Sequence, residues 1–289
     1  MNVKKKVYQR IDDPKHGDCF KCCVCTLLGL SYDEVPNFIE YGDHWWVMMC
    51  KFFADKGYII GEPSFTNPNV PALENPVAEC FKNNDTPYNA TLKALKNEYG
   101  VNGLFMASVY SPKYTNPNEH PIDHLHAVLC DVNFNIVFDP QKSYINIIKY
   151  PYADLIGYNG IRGIDTVRKA TDMEEHAWRK LYYHVHSMGY YGVNQKTIDN
   201  TVRFLGAINE DGLRLPDVED VTNEPYGTIS IDYSDDNGNM LSMEIGKAKI
   251  GFFTDYADGT NDESDGIATD FKTIPEELKK HIENFSRNE

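Results

Sequence analysis

The feature that most constrains this chain is a change in the spacing of its apolar residues. In "DCFKCCVCTLLGL", Phe20, Cys23, Val24, Leu27 and Leu28 recur at steps of three and four, the helical repeat. Asp18 stands where an N-cap belongs and Gly29 where a helix stops. "SYDEVPNF" reads as a short helical turn ended by Pro36. "HWWVMMCKFFADKGY" reads as a second apolar-faced helix stopped by Gly57. "NATLKALKNEYG" reads as a third, with Asn89 as cap and Gly100 after it. The pattern then shortens to strands. These are "GLFMASVYS", "HAVLCDV" and "NIVFDP", with a turn at Asn133 and a stop at Pro140; "QKSYINIIKYPYADLIGY" extends the same sheet. Helices followed by antiparallel strands predict an α+β domain over residues 1–160.

The remainder has a different character. Residues 172–190 and 195–208 read as helices, so 161–210 is expected to be a helical connector. Residues 211–289 are expected to form a small acidic α+β module. It would comprise an alternating stretch with a hairpin turn at Asn237-Gly238, then a terminal helix with Thr273 as cap and Pro275 in its first turn. Of the net charge of −15, residues 205–289 carry −13, from 20 Asp and Glu against 7 Lys and Arg. Neither region has the basic footprint of a nucleic-acid binder, so no nucleic-acid partner is expected. No apolar run approaches the ~20 residues of a membrane helix, and no secretory h-region follows the basic "MNVKKKVYQR". A cytoplasmic protein without membrane partners is expected. Seven irregularly spaced cysteines, four of them between positions 19 and 25, do not make a disulfide framework. Reduced thiols fit a reducing compartment.

Cys19 is the most suggestive thiol. Gly17-Asp18 would set it at the first position of a helix, where free N–H groups favour thiolate and can hold an oxyanion. The alternative is that Cys19 is a small buried hydrophobe like its neighbours. A cysteine nucleophile needs a base, and the base an orienting group. His126 opens one predicted strand and Asp139 closes the next. With the turn near Asn133, facing residues have numbers summing to about 265, which pairs 126 with 139. The plain alternative is a strand-end histidine and a turn-forming Asp-Pro.

The order Cys, His, Asp resembles that of papain-like cysteine peptidases. "VYQRIDDPKHGDCFKCCVCTLLGLSYDEVPNF" resembles the opening of uncharacterised phage and bacterial proteins of papain-like type, related to the C39 bacteriocin-processing peptidases and the NlpC/P60 enzymes. "HAVLCDVNFNIVFDPQKS" resembles the same group's His-Ala-Val strand and Asp-Pro turn, and the paired Trp45–Trp46 fits as well. The likeness spans roughly residues 7–145. It implies a papain-like domain with Cys19 as nucleophile, His126 as base and Asp139 as orienting carboxylate. Gln9 falls near the upstream glutamine that donates to the oxyanion, at a longer spacing from Cys19 than the commonest one. The implied activity is hydrolysis of a peptide, isopeptide or other amide bond through an acyl-enzyme, with a protein or peptide substrate and no cofactor.

Other readings compete. Cys22 and Cys25 form a C-x-x-C, but nothing completes a zinc site. His120, Asp123, His124 and His126 are dense enough to suggest a metal, although four ligands from one short loop are uncommon. Asp255, Asp258, Asp262, Glu263 and Asp265 lack EF-hand spacing and read as a solvated acidic loop. His184 and His186, two apart on a helix, read as structural. A second hypothesis is non-enzymatic: a counter-defence or inhibitor protein of a phage or bacterium, binding a host partner through its acidic module. A third is acyl transfer to an amine by the same triad.

Overall fold

The structure is a computed structural model that describes residues 5–13, 15–61, 65–66, 100–114, 124–131, 135–141 and 161–286. It is α+β, with five α-helices and three antiparallel sheets among the described residues. The chain forms two compact units, Met1–Thr171 and Asp172–Glu289. The third helix expected at 89–99 and the strand extension at 142–158 lie outside the described residues.

In the first unit, α1 (Cys19–Leu28) and α2 (Trp45–Asp55) come first, joined by two short 3-10 segments. Gly29 ends α1 in the left-handed region at φ 75°, a conformation that favours glycine, and its N–H bonds the Cys25 carbonyl. Strand β1 (Tyr58–Ile60) pairs with β7 (Val167–Lys169) in a two-stranded ribbon. The larger sheet has the order β2-β6-β3-β4-β5. Its strands are β2 (Phe65–Thr66), β3 (Leu104–Tyr110), β4 (Leu125–Asp131), β5 (Ile136–Phe138) and β6 (Ile161–Asp165). Strands β3 and β4 are central and almost wholly buried, which explains why "LFMASVY" and "AVLC" read as continuous apolar runs rather than alternating ones. Helix α1 packs on β4 and β3. Its residues Cys22, Cys23, Val24 and Cys25 are wholly buried. This packing sets the start of α1 beside the start of β4.

The second unit is built differently. Strands β8 (Val221–Asn223), β9 (Ile229–Ser234), β10 (Met240–Ile245), β11 (Lys249–Asp255) and β12 (Asn261–Ala268) form an antiparallel meander in chain order. The inward residues of β9 to β11 share one core with α3 (Met173–Ser187), α4 (Gln195–Glu210) and α5 (Glu276–Ser286). Asn237-Gly238 lies in the β9–β10 turn, with Gly238 at φ 86°.

Three boundaries differ from the sequence expectation. Residues 161–169 complete the first unit's sheets, because β6 pairs with β3 and β7 with β1. Residues 173–210 are not a connector. Their apolar stripe, including Leu181, Val185, Ile198, Phe204 and Ile208, is buried in the second unit's core. The expected acidic loop around 262–265 is strand β12, whose polar residues left no apolar alternation to read. It lies at the sheet edge, where charged side chains discourage pairing with another chain. Phe204 is fully buried among these elements. Phe204→Ala is expected to destabilise the second unit by about 3–5 kcal/mol, read as a lower urea midpoint.

Candidate active site

Cys19 is the first residue of α1 and is partly exposed. No side chain caps that end of the helix and no acidic residue lies in its first turn, so its N–H groups face the cleft without a carboxylate on them. The other thiols of the cluster are different. Burial pushes the Cys22 and Cys23 thiols far up and Cys25 to about 11, and the Cys25 thiol donates to the Ser31 carbonyl at 3.4 Å. They are inert core residues, and Cys19 alone of the four is placed for chemistry.

His126 lies on β4 and Asp139 just beyond β5, both buried. His126 Nε2 bonds Asp139 Oδ1 at 2.8 Å, and the ring lines the same cleft as Cys19, near enough for the thiol to influence its charge. The same Asp139 oxygen accepts the Gln141 N–H at 2.7 Å, which fixes the carboxylate on its turn. Burial is the largest single influence on the His126 ring and disfavours its proton. The Asp139 bond and charge, with Cys19 nearby, outweigh it and hold the ring up to about 10. A histidine so held keeps its proton at neutral pH.

The strand register differs from the expectation in an instructive way. Leu129 faces Phe138, and a bulge follows at Cys130 and Ile136. Facing numbers therefore sum to 267 rather than 265. Continued, this register sets Asp139 against Val128, making His126 its diagonal neighbour on the same face. Diagonal neighbours remain within reach of longer side chains. A two-residue offset preserves the face; a one-residue offset would have put the two groups on opposite sides of the sheet.

Gln9 lines the cleft with Cys19, His126, Gly17, Ile39, Leu125 and Tyr114. Its Nε2 donates to the Ile11 carbonyl at 2.6 Å, leaving the second N–H of that amide for another acceptor. Gly17 approaches the backbone so closely that an added Cβ would lie 2.5 Å from the Asp13 carbonyl oxygen. Across the cleft, Lys113 Nζ bonds Asp12 Oδ2 at 2.5 Å and Tyr114 Oη bonds Asp12 Oδ1 at 3.2 Å. The Lys113 bond holds the Asp12 carboxyl below its usual range against the opposing effect of burial. The enclosed space is about 40 Å³, room for a water-sized group.

Sequence reading missed two participants. Asp18 occupies the N-cap position of α1, but its side chain makes no capping bond and instead accepts from Arg10 N–H, Ile11 N–H and the Tyr32 hydroxyl. The N-cap rule is local and could not show that residues 9–11 return to the helix mouth. Of the residues weighed as a metal cluster, 120 and 123 lie outside the described residues. Among the described residues no three His, Cys, Asp or Glu side chains are grouped to hold a metal. Comparison with known proteins returned no matching family model, no matching curated protein and no matching solved structure.

The raised His126 pKa gives a test that needs no substrate. Ring-proton NMR is expected to show imidazolium through pH 8, with loss of the proton only as pH rises toward about 10. Asp139→Asn removes an influence that raises the pKa, so its transition moves to lower pH. Gly17→Ala is expected to displace the Asp13 carbonyl and slow Cys19 alkylation.

Proposed function

We propose that the first unit is a papain-like cysteine hydrolase acting on a peptide, isopeptide or other amide bond. The observation that carries this reading is one imidazole that is hydrogen-bonded to a buried carboxylate and shares a cleft with Cys19 at an uncapped helix start. Cys19 and His126 line one cleft from positions more than a hundred residues apart in sequence, and Asp139 is hydrogen-bonded to the ring, which supports the roles of nucleophile, base and orienter.

The geometry lends itself to acyl transfer as follows. The Cys19 thiolate attacks the carbonyl carbon and forms the C–S bond. The π electron pair moves to oxygen, where the helix N–H groups and the free N–H of Gln9 receive the charge. Collapse of this intermediate breaks the C–N bond, and the imidazolium of His126 gives its proton to the departing amine. Water then attacks the thioester with His126 as base, releasing acid and thiol. Asp139 keeps the ring oriented and compensates its charge throughout. Ile39 and Leu125 give the mouth of the cleft apolar walls, a surface for the apolar part of an acyl group.

Two measurements test the proposal. Iodoacetamide at mildly acidic pH is expected to label Cys19 ahead of the other six cysteines, read by peptide mass spectrometry. Labelling of Cys19 at the pace of an ordinary exposed thiol would sink it. Cys19→Ala is expected to abolish hydrolysis of a peptide library by the wild-type chain while leaving the melting temperature near that of wild type. An added amine distinguishes water from amine as the acceptor of the acyl group.

A further inference from the structure

Asp18 is the residue before the proposed nucleophile and is wholly buried. A carboxylate removed from water needs donors, and it has three: Arg10 N–H to Oδ2 at 3.0 Å, Ile11 N–H to Oδ1 at 3.1 Å and Tyr32 Oη to Oδ2 at 2.6 Å. Its own N–H returns to the Ile11 carbonyl at 3.4 Å. That carbonyl also receives the Gln9 side-chain amide. At the other end of this short strap, the Gln9 backbone N–H bonds the Pro140 carbonyl at 3.0 Å, next to Asp139. Tyr32 is itself clasped, with the Arg10 guanidinium 3.7 Å and the Lys21 ammonium 3.8 Å from its ring centre. Burial, then the Asp18 bond, pushes the Tyr32 phenol far up, so it remains a donor.

We propose that Asp18 and Tyr32 are positioning residues that hold the Gln9–Ile11 strap at the start of α1, so that the Gln9 amide is aimed at the oxyanion formed on Cys19. This rests on the cysteine-hydrolase reading above. The strap is tied on one side to the residue before the nucleophile and on the other to the residue after the orienting carboxylate. It fixes the oxyanion donor relative to both.

Two thiol probes separate this role from general support of the fold. Iodoacetamide alkylates by displacement of iodide at a saturated carbon, so no oxyanion forms. Acetyl-phenylalanyl-glycinal adds reversibly. The Cys19 sulfur bonds the aldehyde carbon, the C=O π pair moves to oxygen, and that oxygen takes the His126 proton or remains as oxyanion. Aldehyde affinity is read on the full chain as protection of Cys19 from iodoacetamide. Loss of one oxyanion donor costs about 10²–10³ in rate in characterised enzymes, so Gln9→Ala is expected to weaken protection at least tenfold relative to any change in alkylation rate. Tyr32→Phe removes one hydrogen bond and little volume, and is expected to give a smaller loss of the same kind; Asp18→Asn, keeping one acceptor oxygen, falls between. The decisive arm is Gln9→Ala with Tyr32→Phe, expected to lose no more protection than Gln9→Ala alone. Additive losses, equal losses with both probes in variants that keep the wild-type melting temperature, or unchanged protection in Tyr32→Phe and Asp18→Asn would each overturn the inference. So would selective alkylation of wild-type Cys19 without any aldehyde protection. Failure of wild-type Cys19 to alkylate ahead of the other cysteines would instead overturn the hydrolase reading beneath it.

Discussion

A carboxylate withdrawn from water must have its charge answered by nearby donors, and two such groups organise the first unit. Asp139 is answered by the His126 ring and the Gln141 N–H. Asp18 is answered by two backbone N–H groups and a phenol. Removing one member of such a buried set costs roughly 3–5 kcal/mol in other proteins, because a charge is left unpaired. The groups around each carboxylate are thus held by the cost of releasing them. That constraint brings the start of a helix, the start of one strand and the end of another to one point, with the N-terminal strap laid across them.

The fold was legible where a local rule and the packing agree. Gly29, Gly57 and Gly238 each sit at a positive φ, at the helix stops and the turn where the residue order places them. The central strands were legible because both faces are buried, so apolar content alone marked them. Strand β12 was not, since an edge strand with polar side chains carries no hydrophobic period. The helices at 173–210 were visible as helices, yet their partners were not. An apolar stripe shows that a helix is buried without showing against which sheet.

The site divides along the same line. Cys19, His126 and Asp139 could be grouped as candidates because residue type and order suggest that chemistry. The two-residue register error was harmless because side chains alternate with period two. Asp18 was rightly placed at the helix start, but its side-chain partners, Arg10 and Ile11 on one side and Tyr32 on the other, were not legible because they are fixed by how the chain folds back. A glycine–aspartate pair before a helix looks the same whether the carboxylate caps the helix or anchors a passing strand.

The separation of the site's parts along the chain bears on the order in which they are made. At roughly 5–20 residues per second, a ribosome needs about 6–24 s to go from residue 19 to residue 139. Throughout that interval the nascent chain holds its cysteine without the histidine–carboxylate pair, and the Gln9 strap has no Pro140 carbonyl to anchor it. The three-way junction closes only after β5 has been made. On the proposed reading, the thiol therefore gains its histidine–carboxylate partners only once the Asp139 turn has been made.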